Sequence, residues 1–313
     1  MRKVIFLTAF GFIVLSSVSQ SAPIVMKGNY IYTQISDDGT LGDGMDYPGI
    51  QYDPTGNGNF PGIGGKDFLQ PGNPWEIFSI KNEEEGIVNN NNVNGIVDQM
   101  TGTLTDLSSS SLYDFYVRWS GSDKNNYFDI TLDTYFNKND KHIMFTTSIV
   151  AKEKLTNLKF LRAIDPDQDI NDHGEWWTIN ARGYGSIAPE DWVYAAGFIT
   201  NWTIGLYSNS SFTHNTGFGN WTPAASDPDN YLSGGDDGVG DFKIGIAFNL
   251  GNLSKNDSVT FSYAYVLGID PDDAADNIPG APAPIPEPTT IFLLGAGLIG
   301  LAGIGGRKFK KTS

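Results

Sequence analysis

Phe242-Lys243-Ile244-Gly245-Ile246-Ala247-Phe248-Asn249-Leu250 places an apolar residue at every second position. A period of two belongs to an extended strand, whose successive side chains point to opposite faces, whereas a helix needs a period near 3.6. The same alternation runs through Phe261, Tyr263, Tyr265 and Leu267, through Phe128, Ile130 and Leu132, and through Tyr113, Phe115, Val117 and Trp119. Further strands are expected at 24–35, 75–82, 96–106, 142–151, 154–164, 176–181, 191–200 and 202–208. That makes about a dozen, separated by turns rich in Gly, Asn and Asp. No segment keeps a helical period over three turns, and no fixed repeat points to a solenoid or propeller. The fold expected is all-β, a large antiparallel two-sheet sandwich built from residues 22–277. Residues 36–74 hold few apolar side chains and read as a long ordered loop or a ragged set of short strands. Asn89 to Asn92 read as a polar hairpin tip.

The chain has no cysteine, so the body must be held by a buried core rather than by disulfides. At 313 residues it is long enough for that. The two ends carry six of the 20 basic residues and one of the 36 acidic ones, which leaves the body with 14 against 35, a net −21. Such a surface repels phosphate backbones, so nucleic acid is not an expected partner, and it favours cations.

Both ends differ from the body in composition. Arg2 and Lys3 precede an apolar run from Val4 to Leu15, followed by small polar residues up to Ser21. This is the order of a secretory signal peptide over residues 1–21, a cleavable helix, with the alternative of a buried N-terminal helix. Residues 278–285 form a stiff Pro/Ala linker. Pro286-Glu287-Pro288 follows, then a glycine-interrupted apolar span over 289–306, then Arg307, Lys308, Lys310 and Lys311. The span reads as a short transmembrane helix whose basic end stays in the cytoplasm.

That three-part order resembles the PEP-CTERM sorting signal of Gram-negative bacteria, here over 286–313. Pro286, Glu287 and Pro288 match its processing motif, and Arg307-Lys308 its basic stop. The resemblance implies export by the secretion machinery, transient anchoring in the inner membrane through the tail, and processing by an exosortase in cells that make exopolysaccharide. A second resemblance lies in Ile35 to Gly42, Tyr52 to Gly56, Pro71 to Glu76 and Arg162-Ala163-Ile164-Asp165-Pro166-Asp167. These are similar to segments of bacterial surface sandwiches of the galactose-mutarotase-like, or supersandwich, kind. No motif here matches a catalytic one from that group.

The most chemically loaded stretch is 165–175. Asp165, Asp167, Asp169 and Asp172 offer carboxylate oxygens from one short loop, which suits a hard cation such as calcium. Ile170 and Trp176 occupy the positions where an EF-hand needs Gly and Glu, so that motif is excluded, and an ordinary acidic turn is the other reading. Trp176, Trp177 and Trp192 are candidates for stacking on sugar rings, against the alternative that they fill the core. No catalytic residues are assigned. The expected function is that of a non-enzymatic protein of the cell surface or extracellular matrix that binds or organises exopolysaccharide or another glycan. The rival is a carbohydrate-active enzyme of the epimerase or lyase type, working through His173, Glu175 or Arg162.

Overall fold

β10 (Leu155–Ile164) is buried without a break from Phe160 to Ile164 because both of its faces are covered there. The structure, a computed structural model, describes residues 22–280 except 43–47, 61–66, 70–74, 94–97, 220–222 and 236–237. β10 lies at the centre of a five-stranded antiparallel sheet with β14 (Thr213–Gly219), β16 (Lys243–Leu253), β4 (Glu76–Asn82) and β5 (Gly86–Asn91), in the order β14-β16-β10-β4-β5. The register Phe160↔Phe248 and Phe160↔Ile80 aligns three apolar residues across it.

A nine-stranded sheet packs against it. Its members are β6 (Met100–Asp106), β7 (Phe115–Asp123), β8 (Phe128–Phe136), β9 (His142–Ala151), β11 (Thr178–Arg182), β12 (Trp192–Gly197), β13 (Thr203–Tyr207), β15 (Gly238–Gly240) and β17 (Ser258–Gly268). The order is β15-β11-β12-β13-β17-β9-β8-β7-β6. The core lies between the two sheets. Phe160 meets Phe261 with ring centroids 5.1 Å apart, Phe248 meets Phe261 at 4.6 Å, and Phe78 meets Trp119 at 5.5 Å. A small third sheet, β1 (Ile24–Lys27), β2 (Ile31–Ile35) and β3 (Ile50–Tyr52), adds Met26, Ile31, Ile35, Ile50 and Tyr52 to the same core.

The expected all-β antiparallel sandwich is therefore present. Alternation assigned the faces correctly: Ile244, Ile246 and Phe248 point into the core between the sheets. The five-stranded sheet buries its other face too. Trp75, Ile77, Leu161, Ala163 and Ala247 form a second apolar cluster there with Tyr231 of the short helix α2 (Pro228–Leu232). Lys81 and Lys159 fasten α2 to the sheet, with Nζ of Lys81 2.8 Å from Asp227 and Nζ of Lys159 2.5 Å from Asp229. Gly245 makes room for Tyr231, since a Cβ there would lie 2.6 Å from its ring. The body closes at Asn277, whose Nδ2 donates to Leu267 O at 2.9 Å.

The asparagine run is not a hairpin tip. Residues 86–91 form a strand, and the turn falls at 83–85, where Asn82 Oδ1 accepts from Glu84 N and Glu85 N. The amides serve as buried connectors. Asn90 Nδ2 donates to Asp38 O and Met100 O, and Asn92 Nδ2 donates to Leu41 O while its Oδ1 accepts from Glu76 N. Between them they tie the 36–42 loop to the sheet. Among the described residues no helix is long and apolar enough to cross a membrane. The expected signal helix at 1–21, Pro286, Glu287, Pro288 and the span at 289–306 lie outside the described residues.

Candidate functional site: an acidic cluster where the central strands end

β10 carries two charged centres on opposite faces. Arg162 points between the sheets and is wholly buried. Its guanidinium pairs with Glu76 and lies 4.8 Å above the ring of Phe145. Glu76 also accepts from Leu41 N at 3.0 Å and from the Tyr265 hydroxyl at 2.9 Å. Burial works against the charge on Arg162, and the facing Glu76 carboxylate together with Tyr263 and Tyr265 more than offsets it.

Asp165 follows the end of β10 in phase with Leu161 and Ala163, on the face that α2 covers. Its N–H donates to Trp75 O at 2.9 Å, which extends the ladder with β4. The register Ile164↔Ile244 sets Lys243, the first residue of β16, beside it. Asp165, Asp167 and Asp241 each bring one carboxylate oxygen within 4.8 Å of the others. Asp165 and Asp167 are buried, and Asp241 is exposed. Lys243 is buried as well, its Nζ 4.8 Å over the Trp75 ring.

The cluster is electrostatically unsettled. Burial pushes Asp165 up to about 7, with Lys243 opposing and Asp241 adding to the shift. Burial, Asp165 and Asp241 push Asp167 up to about 9. Burial lowers Lys243 to about 8 against the pull of the three carboxylates. Groups displaced toward neutrality in this way suit proton transfer or cation binding.

The loop beyond departs from the expected set of four ligands. Asp169 is buried but turned away, accepting from Ile199 N at 2.7 Å, from Thr200 N at 3.2 Å and from the Thr200 hydroxyl. Its carboxylate is spent on fixing the turn between β12 and β13. Asp172 sits exposed in the one-turn helix α1 (Ile170–His173) and faces solvent. Asp241 takes part instead: Asp236 to Asp241 reads in the sequence as a separate, weaker acidic loop, and only the register of β16, a distant strand in sequence, brings Asp241 to Asp165 and Asp167.

Trp192 is also corrected. It is completely buried, packed over Gly205 of β13, where a Cβ would lie 2.1 Å from its ring, so no sugar reaches it. Trp176 and Trp177 are 49% and 52% exposed. Trp177 meets the half-exposed Phe198 edge-on at 6.2 Å, and Ile199 is exposed next to it. Arg162 does not converge with His173 and Glu175. It is sealed in the core, whereas His173 is exposed on α1 and Glu175 accepts from Trp177 N. A shallow trough of about 550 Å³ lies at the other end of the nine-stranded sheet, lined by Thr101, Thr103, Ser120, Ser122, Asp129 and Thr131.

Residues 284–308 match the family described as the PEP-CTERM protein-sorting motif. The chain carries a PEP-CTERM sorting signal. Such a signal implies an exported protein, anchored in the membrane before cleavage and handled by an exosortase. In sequence the chain matches no curated protein. In structure it is similar to a bacterial glucoamylase solved with acarbose, at 14% identity and a TM-score of 0.54, over 83% of this chain and 34% of that one. This PEP-CTERM chain thus spans about a third of the glucoamylase, and the likeness is one of fold. An α-mannosidase from Enterococcus faecalis gives 11% identity and a TM-score of 0.43 over 80% of this chain and 30% of that one. A protein of Escherichia coli K12 assigned as an aldose 1-epimerase gives 10% and 0.37 over 79% and 99%.

Proposed function

We propose that this is an exported protein, released by exosortase processing at Pro286-Glu287-Pro288 to the cell surface or extracellular matrix, whose body binds or organises exopolysaccharide without turning it over. The observation that carries the glycan reading is the Trp177–Phe198 pair with Trp176 beside it in sequence, large rings left half in water at one edge of the nine-stranded sheet. Aromatic faces exposed together in this way stack on the apolar faces of pyranose rings. The separation of Arg162 from His173 and Glu175 supports a binding rather than a catalytic role for that edge. Affinity electrophoresis of the exported protein tests this, in gels holding exopolysaccharide extracted from the producing cells and in gels holding neutral polysaccharides. Retardation is expected in at least the first gel, with loss of retardation in a Trp176→Ala, Trp177→Ala variant. Equal mobility in every gel, or retardation that survives the double substitution, overturns the reading.

One observation favours the enzymatic alternative. Asp165, Asp167 and Lys243 are all displaced toward neutrality at one sheet end, in a body sharing its fold with part of a glucoamylase. Release of reducing ends or of unsaturated uronates from the same polysaccharides, abolished by Asp167→Asn, is the result that establishes it.

A further inference from the structure

We propose that Asp165, Asp167 and Asp241 form a binding site for a divalent hard cation, with calcium the best fit, at the end of the five-stranded sheet. The site differs from a loop site of Asp165, Asp167, Asp169 and Asp172, because two of those four turn elsewhere and the third ligand comes from the approach to β16.

Distance supports the proposal first. Oxygens bound to one calcium ion lie about 2.3–2.6 Å from it, so any two of them are at most about 5 Å apart. The three carboxylates already meet that limit, each offering an oxygen within 4.8 Å of the others.

The second support comes from how the other buried aspartates of this chain are treated. Asp67 accepts from Gly49 N, Ile50 N and Leu69 N. Asp53 accepts from Thr55 N, Asn57 N and Asn59 N, and Asp169 from Ile199 N and Thr200 N. A buried carboxylate is normally satisfied by such donors. Asp165 and Asp167 accept no hydrogen bond among the described residues, and Oδ2 of Asp165 is sealed from solvent without a partner. Asp165 is only 2% exposed, so bulk solvent does not reach it. A metal ion satisfies oxygens that the fold has left without donors.

Charge gives the third. Fully ionised, the three carboxylates exceed the Lys243 ammonium by two negative charges, an excess that a divalent cation neutralises as it displaces their protons. The donors are all carboxylate, which selects calcium, magnesium or manganese over softer metals. The mixture of buried and exposed ligands suits calcium, whose coordination is flexible and completed by water.

The test uses the exported protein freed of metal with a chelator, and calcium and terbium as the probes. Calcium is expected to raise the melting temperature in a saturable way, with affinity in the roughly 0.1–1 mM range of extracellular modules. Terbium luminescence excited through tryptophan is expected to appear and to be competed away by calcium, and Trp75→Phe to dim it without weakening binding. Asp241→Asn, at an exposed position that folding tolerates, is expected to weaken calcium binding at least about tenfold, one lost charged ligand being worth more than 1.4 kcal/mol. Asp172→Asn is expected to bind calcium as the unaltered chain does. No saturable binding, or an Asp241→Asn variant that binds normally, overturns the proposal. Loss of binding in Asp172→Asn overturns it too, by placing the ion in the loop. All of these measurements are made without polysaccharide, so they stand or fall independently of the glycan reading.

Discussion

Arg162 and Asp165 lie three residues apart, one on β10 and the other just past its end, and the fold treats them in opposite ways. Arg162 faces the interior between the sheets, where the Glu76 carboxylate supplies its counter-charge and the ring of Phe145 lies against it, while Leu41 N and the Tyr265 hydroxyl donate to Glu76. Asp165 faces the α2 side with Asp167, Asp241 and Lys243, and there, among the described residues, the chain supplies charge but no hydrogen bond to the two buried carboxylates. The difference teaches that burial alone does not make a charged group structural. A buried charge that meets its counter-charge inside the fold belongs to the scaffold, and buried charges of one sign in excess of their counter-charge mark a place where something else binds.

The comparison breaks most visibly at Arg162. Arg162→Met leaves Glu76 buried without its counter-charge and should cost about 3–5 kcal/mol in urea unfolding. Adding Glu76→Gln should recover part of that loss. A single substitution costing less than about 1 kcal/mol would put Arg162 in the same class as Asp165. Asp169 is the smaller case of a provided carboxylate. Asp169→Ala strands Ile199 N and Thr200 N and should cost about 1–3 kcal/mol with or without calcium.

At Asp167 the sign reverses. In the unfolded chain this carboxyl ionises near its ordinary 3.8, whereas the folded protein holds it protonated up to about 9, and Asp165 up to about 7. The folded state therefore binds more protons across that window. The stability these groups contribute is fully present below 3.8 and is lost as pH rises toward 7 and then 9. Lys243, lowered to about 8 from 10.5, acts in the other direction and returns some stability only above pH 8. Metal-free protein should thus lose melting temperature from pH 5 to pH 8 more steeply than Asp167→Asn does. At pH 8 that variant should be the more stable by at least about 1 kcal/mol, or 2–4 °C for a chain of this size. Calcium should erase the variant's advantage, and scanning calorimetry with and without the ion reads both effects. Identical pH slopes for the two proteins would show that Asp167 is as well provided for as Asp169.

The smallest effect is expected at the exposed edge. Trp176→Ala should change stability by less than about 0.5 kcal/mol while weakening glycan retardation, whereas Trp192→Ala should cost about 3–5 kcal/mol. A large stability loss at Trp176 would make that ring part of the core rather than a platform.

Much of this was legible from the residues. Alternation at 242–250 and 261–267 reports burial on one face directly, and the structure pairs those residues across the core as the period requires. The carboxylates of 165–172 were legible as a concentration of charge, but their directions were not. Asp165 and Asp167 end near β16, Asp169 turns to Thr200, and Asp172 faces solvent, all within eight residues. The asparagine run shows the same limit. Its composition signals a turn, yet Asn90 and Asn92 are buried because Asp38, Leu41 and Met100 present carbonyls for their amides.

The sequence by itself determined the class of fold and the sorting signal near the C-terminal end, because both depend on local pattern: a period of two in the body, and proline, apolarity and charge in fixed order over 284–308. Only the tertiary structure decided which charges meet and which rings remain in water. Asp241 joins Asp165 through the register of β10 with β16, and Trp192 disappears beneath the surface because Gly205 on the neighbouring strand leaves space for it. Both outcomes depend on strand neighbours that are far away along the chain. The physical reason is that a strand's own pattern sets which way each side chain points, while the partner strand sets what it finds there.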